Sequence, residues 1–170
     1  MKSRFRRGFC PFPKKKMENI KIKDLNNDSL LSDHVATEAS IIAKDKNVRN
    51  IVKKFQLKIA YNPPPKYNGS VLDGRDITSV LMKDAMFKFF ITASIKIRSK
   101  RRYLEFKKLN KKISYSDVLK SLRNRDYLDK NRKISPLKKT KDSILINTSK
   151  LSKKACFKKI KAIMDRKLNN

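Results

Sequence analysis

The stretch "VLDGRDITSVLMKDAMFKFFITAS", residues 71–94, decides the fold. Its first turn extends back to Gly69 as "GSVLDGRD", which places two of the chain's three glycines five residues apart. That is the glycine spacing of a phosphate-cradling loop, G-x-x-x-x-G-K-[ST]. Such a loop works because flexible, polar residues wrap their amides around phosphates before a helix begins. This one fails the test. Val71 and Leu72 suit a strand, Asp73 would repel phosphate, and Asp76 stands where a hydroxyl should hold magnesium. The reading is a short strand, Ser70–Asp73, running into a turn at Gly74, Arg75 and Asp76. "FKFFITAS" from Phe87 is aromatic and β-branched, which predicts a second strand over Phe87–Thr92.

Working outward, "SILINTS" from Ser143 predicts a third strand over Ser143–Asn147. Helical signals separate and flank these strands. Residues 32–55 place Val35, Ala39, Ile42 and Ala43, then Val48, Ile51, Val52 and Phe55, at helical spacing, with Ser32 or Asp33 as N-cap. "NPPPKYNG" then breaks regular structure. A very basic helix is predicted from Ile95 to about Lys111. Another opens at "ISYSDV", where Ser114 and Asp117 have capping-box spacing and Ile113 can staple onto Val118. The last opens at Ser152, with Leu151 and Cys156 as staple partners and Cys156, Ile160 and Ile163 as its apolar stripe. Strands separated by helices of this length predict an α/β fold with a parallel sheet. Ligands of such sheets bind beyond the carboxyl ends of the strands, which singles out Gly74, Arg75 and Asp76.

Composition narrows the function classes. At 170 residues the chain is one domain by length, and 39% hydrophobic content supports a buried core. Lys and Arg number 45 against 15 acidic residues, a net charge of +30 that invites comparison with nucleic-acid-binding proteins. The charge is spread through the chain rather than gathered into one arm, so it speaks to solubility and nonspecific attraction more than to function. Cys10 and Cys156 form no C-x-x-C pair and His34 is the only histidine, so no zinc site is expected and the thiols read as reduced and cytosolic. No apolar run reaches the length of a membrane span. Residues 1–18 are basic and proline-containing and read as a disordered lead-in; residues 19–31 give no firm secondary structure.

"VLDGRDITSVLMKDAMFKFFITAS", followed by "RRYLEF", "RNRDYLDKNR" and "SPL", resembles the bacterial cytidylate kinases of the nucleoside monophosphate kinase group. The resemblance runs from about Asp33 to the C-terminus and takes in "ATEASIIAKDKNVRN", similar to the family's helical acceptor-binding segment. Five motifs agree in order and spacing. The resemblance implies a three-layer nucleoside monophosphate kinase-like fold that lacks the first strand and its phosphate loop. It divides the chain into the 1–18 lead-in, a 19–66 acceptor-binding segment, and a 67–170 core with a basic lid at about 95–132.

The implied activity is phosphoryl transfer from ATP, with Mg²⁺, to CMP or dCMP in pyrimidine nucleotide metabolism, by a cytoplasmic monomer. Arg75 would hold the acceptor phosphate and Asp76 its base. Ser40 and Arg49 match positions that recognise cytosine. Arg125, Asp129 and Arg132 match an "RD-x-x-D-x-x-R" pattern that grips the acceptor, and their i, i+4, i+7 spacing would put them on one helix face. Arg98, Arg101 and Arg102 resemble the basic lid segment that closes over ATP phosphates, with Arg101 and Arg125 the implied catalytic pair. Positioned guanidinium groups suit this chemistry because they neutralise charge on the transferring group.

The sequence departs from the pattern in places. Leu128 replaces a lid arginine, the residues after "GRD" are Ile77, Thr78 and Ser79 where the family usually has a glycine followed by Thr, and residues 1–18 match no part of it. Nothing resembles G-x-x-G-x-G-K-[GST], so the expectation is an N-terminally truncated cytidylate kinase with acceptor recognition partly kept. In the family the first strand lies between those matching 70–73 and 87–92, so these two are expected to pair directly or leave edges open. The alternatives are a basic nucleic-acid-binding protein, although a nucleic-acid partner is not expected from the motifs, and a nonfunctional remnant of a kinase gene.

Overall fold

The computed structural model describes residues 33–42 and 45–169; the readings of 1–18 and 19–31 lie outside them, as does that of a Ser32 cap. The chain divides at Asp73/Gly74 into two compact units. The first contains helix α1 (Asp33–Ile42) and helix α2 (Lys46–Tyr61). The break between them is set by Asp45, whose carboxylate accepts hydrogen bonds from the amides of Asn47 and Val48 at 2.7 and 3.1 Å and so caps α2. Helix α2 stops at Asn62 because the residue before a proline is driven out of the helical region, and Pro63 follows.

Ser70–Asp73 is not a strand. Among the described residues no segment pairs with it, and Val71 is 100% exposed. Ser70 instead donates its hydroxyl to the carbonyl of Ala60 at the end of α2, at 2.7 Å. A strand exists only by virtue of the ladder it joins, and two apolar residues without a partner backbone remain a loop.

The second unit begins at the Gly74 bend and enters a five-residue π turn, Ile77–Leu81, that the sequence did not predict. The Met82 amide reaches the Ile77 carbonyl at 2.7 Å, and Val80 and Leu81 both donate to the carbonyl of Asp76. Gly74 has a packing reason here, since a Cβ would come within 2.9 Å of the Ile77 side chain.

Strand β1 (Phe89–Thr92) and strand β2 (Ile144–Asn147) lie parallel in register, Phe89 opposite Ile144 through Thr92 opposite Asn147. The direct pairing is therefore between β1 and β2, in place of the 70–73 and 87–92 pair expected above. Between them run helix α3 (Ile95–Lys108) and helix α4 (Tyr115–Asn131), and helix α5 (Lys153–Leu168) follows β2. This is a mixed α/β fold with a parallel sheet, as its sequence pattern predicts.

Three serine caps set the helix starts. Ser94, Ser114 and Ser152 accept from the amides of Ile97, Asp117 and Ala155, respectively. The Ser114–Asp117 box closes differently from the usual form: Ser114 donates its hydroxyl to the Asp117 carboxylate at 2.6 Å. Aspartate, one methylene shorter than glutamate, ends at the hydroxyl rather than at the cap amide. Helix α3 ends at Lys108 with Leu109 as its cap, and Asn110 just beyond takes the left-handed conformation that asparagine tolerates (φ 53°).

The core of this unit is small: Phe106 of α3, Val118 of α4, Ile146 of β2 and Ala93 just after β1 are buried. Cys156, Ile160 and Ile163 line the half-buried face of α5, and Cys156 is a free thiol. Ile91 and Leu145 of the sheet stay half exposed, at 50% and 53%. No helix among the described residues is long and apolar enough to cross a membrane.

With so few buried side chains, Phe106→Ala should remove about 3–5 kcal/mol, enough to abolish a cooperative thermal transition read by far-UV circular dichroism. A second test concerns pH. Lys88 donates to the Asp142 carboxylate, tying the entry of β1 to the turn before β2. That bond draws the Asp142 pKa from 3.8 to about 2. A folded-state pKa below the unfolded one contributes stability above 3.8 that is lost as pH falls toward about 2. Urea midpoints measured across that window should fall less steeply in Asp142→Asn than in the wild type.

Candidate active site

The site is built around one carboxylate. Asp129, near the end of α4, has a side chain only 8% exposed, and an isolated charge in that position is costly unless it is paired. Arg75 supplies the close partner: its Nε donates to Asp129 Oδ2 at 2.7 Å. Arg125, one turn earlier on α4, brings its Nε to 4.0 Å from the same oxygen. Arg132 reaches the other oxygen, with Nη1 at 3.7 Å from Oδ1, while its Nη2 lies 3.8 Å from Asp76 Oδ1. The turn carrying Arg75 and Asp76 is thus joined to the end of α4 by a continuous set of charges.

Arg125 and Asp129 share a face of α4, but Arg132, expected on the same face, does not lie on the helix. Helix α4 ends at Asn131, and Arg132 is its C-cap with extended backbone (φ −65°, ψ 139°). Ser135 in the left-handed region (φ 52°) and Pro136 follow, and proline cannot continue a helix. Arg132 reaches Asp129 from the turn, not from the face. Its Nε donates to the Ser135 carbonyl, and the buried Nη2 has no hydrogen-bond partner. The Asp129 carbonyl also accepts from the Leu137 amide at 2.8 Å, which folds this turn back against the helix.

The electrostatics favour an anion. Arg75, Arg125 and Arg132 face two carboxylates, those of Asp76 and Asp129, so positive charge is in excess. The side chains of Arg75 and Arg125 are each 41% exposed beside the buried carboxylate. Planar forks in this arrangement can take a phosphate by parallel hydrogen bonds.

The basic helix α3 is more committed than its sequence suggests. Arg98 donates Nη1 to Asp126 Oδ1 at 2.8 Å and Nη2 to Oδ2, and its Nε to the Ala93 carbonyl at 3.1 Å. Arg101 donates to the Thr148 hydroxyl and carbonyl at 3.1 and 2.6 Å and to the Leu151 carbonyl at 3.2 Å, fastening α3 to the end of β2. Arg102 pairs with Glu105 at 3.2 Å and lies 4.3 Å over the Phe106 ring. Asp126 was missed by sequence reasoning; only its place inside "RD-x-x-D-x-x-R", next to Arg125, could have pointed to it. Arg98 holds the Asp126 carboxyl below the usual carboxylate range, against the opposing effect of burial.

In the first unit, Ser40 lies on α1, with its side chain outside the described residues, and Arg49 is half-buried on α2. The second unit by itself brings together Arg75, Asp76, Arg125, Asp129 and Arg132, while Arg98, Arg101 and Arg102 occupy the first half of α3. No three His, Cys, Asp or Glu side chains among the described residues converge on a point where they could hold a metal ion.

The family model described as cytidylate kinase matches residues 12–166. That match starts before Asp33 and takes in residues 12–18, which the sequence reading left unmatched. A cytidylate kinase of Clostridium botulinum (strain Loch Maree / Type A3) is 48% identical over 115 residues, covering 68% of this chain and 52% of the relative. One from C. botulinum (strain Langeland / NCTC 10281 / Type F) is 42% identical over 147 residues, covering 85% and 64%. One from Clostridium perfringens (strain SM101 / Type A) is 36% identical over 136 residues, covering 80% and 58%. The matched stretch thus spans between about half and two thirds of the length of these relatives. Its match to the family model over nearly the whole sequence shows that the chain belongs to the cytidylate kinase family.

Proposed function

We propose that this chain carries the acceptor side of a cytidylate kinase, receiving CMP or dCMP for phosphoryl transfer from ATP. The observation that carries the reading is the convergence of Arg75, Arg125 and Arg132 on buried Asp129, with Asp76 alongside. In this role Arg75 and Arg125, whose side chains are partly exposed, take the acceptor phosphate. Asp129 fixes their orientation. Asp76 and Arg132 read the sugar and base. By the family resemblance, Ser40 and Arg49 of the first unit serve cytosine recognition. Orientation of this kind is most of what phosphoryl transfer asks of a protein, because the reaction needs in-line placement and charge neutralisation rather than covalent chemistry.

Arg98, Arg101 and Arg102 form the donor side, with Arg101 and Arg125 acting on the transferring group. Mg²⁺ would come with ATP. None of Gly8, Gly69 and Gly74 lies in a glycine-rich phosphate cradle, so these 170 residues hold the acceptor more completely than the donor. The proposed setting is a monomer in the cytoplasm.

Calorimetric titration of the 170-residue chain should show CMP bound in preference to AMP and UMP. Arg75→Ala should weaken that binding roughly ten- to hundredfold, the worth of a charge-assisted hydrogen bond. Equal affinity for all three nucleotides would remove the acceptor assignment. The +30 charge favours a second reading, generic RNA binding, which instead requires affinity that collapses with added salt and ignores the Arg75 substitution.

Turnover is a separate expectation. CDP formation from ATP and CMP by these 170 residues should lie near background, because side chains on α3 cannot replace an amide cradle for the γ-phosphate. A coupled ADP-release assay reading at typical kinase rates, about 1–100 per second, would show that the chain holds the donor by another route.

A further inference from the structure

We infer that Asp126 is an internal occupant of the Arg98 fork, a carboxylate that a phosphate of a bound nucleoside triphosphate displaces. The inference rests on the reading above that α3 faces the donor. Three observations carry it. Arg98 gives both Nη groups to the two oxygens of one carboxylate, the same fork geometry it would offer two oxygens of a phosphate. Its Nε is held separately, by the Ala93 carbonyl just past the carboxyl end of β1. Loss of Asp126 would therefore leave the guanidinium in place with its outer edge open, at the end of a parallel strand where ligands of such sheets bind. Finally, the pair is only partly buried, with side chains 33% and 26% exposed, so an anion can reach it from solvent.

The pairing also decides the resting arrangement of the helices. Arg98 opens α3 and Asp126 lies in the second half of α4, so the pair joins the two helices of the basic segment. Displacement of the carboxylate unties α4 at the residue next to Arg125, which belongs to the acceptor group. A triphosphate at Arg98 is then felt one residue away from the acceptor site. Asp126 is a positioning residue in this account, since it acts through Arg98 and touches no substrate.

The test compares wild type, Asp126→Asn and the double variant R98A/D126N in the 170-residue chain, titrated with inorganic tripolyphosphate and, separately, with CMP. Asp126→Asn removes the competing charge and should bind tripolyphosphate three- to tenfold more tightly than wild type. The double variant should lose that gain, which separates Arg98 from the many other cations of the chain. Unchanged or weaker tripolyphosphate binding by Asp126→Asn overturns the inference, as does a gain that survives without Arg98 or an absence of binding by that variant. A purely structural ion pair would lower the melting temperature and yield no gain in affinity.

Wild-type protein gives an independent reading that no unfolding variant can obscure. The carboxyl carbon resonance of Asp126 should move as tripolyphosphate is added, and a resonance that stays fixed at saturation overturns the inference. The outcomes also separate the two proposals. A gain in Asp126→Asn with no CMP selectivity in any chain removes the acceptor reading and leaves the displacement standing; CMP selectivity without the gain does the reverse.

Discussion

The buried carboxylate of Asp129 is the constraint on which the rest of the second unit depends. A charge only 8% exposed is tolerated because Arg75 donates to it at 2.7 Å and two further guanidinium groups surround it. Taking such a group out of water costs several kcal/mol, and removing one partner leaves that cost uncompensated. The pairing therefore dictates backbone as well as side chains. It holds the Gly74–Asp76 bend against the end of α4, and the Asp129 carbonyl draws Leu137 back over the same end. A turn with little apolar cover of its own is kept in place by charge.

This explains which parts of the molecule could be read from sequence. The starts of α4 and α5 were legible because Ser114 and Ser152 act locally, each satisfying an amide three positions ahead; the Asp45 cap that separates α1 from α2 was not read, because the apolar spacing of residues 32–55 continues on both sides of it. Strands β1 and β2 were legible because aromatic and β-branched runs bounded by polar residues have few other uses. Ser70–Asp73 misled for a complementary reason. Its apolar pair fits a strand, but strand formation is decided by a partner backbone that local composition does not reveal. The cluster of Arg75, Asp76, Arg125, Asp129 and Arg132 was singled out by family resemblance, and the error at Arg132 came from extending helical geometry past Asn131, where Ser135 and Pro136 end it.

Side-chain partnerships across long sequence separations were the least legible part. Arg98 and Asp126 are 28 positions apart, and Arg101 and Thr148 are 47 apart. Both arginines looked like free cations of a basic helix. The packing of α3 on α4, through Phe106, Val118 and the edge-to-face contact of Tyr103 with Tyr115 at 6.1 Å, is what brings Asp126 within reach of Arg98. No pattern in the helix sequence announces that register.

In a chain with three basic residues for every acidic one, the acids carry most of the positional information. A lysine on a solvated face can be exchanged for another position at little cost, because exposed charges are screened and weakly coupled. A carboxylate has no such freedom here, since every location is surrounded by candidate partners and each choice fixes a contact. Asp45 and Asp117 are used at helix starts, Asp129 in the arginine cluster at the end of α4, Asp126 between α3 and α4, and Asp142 beside β1. The arginines that meet Asp126 and Asp129 are distinguished in the same way from the more numerous lysines, because a planar fork pairs with a carboxylate or a phosphate at a defined orientation. The specific chemistry of this protein is therefore set by a few acids that select which of its many cations are held in place.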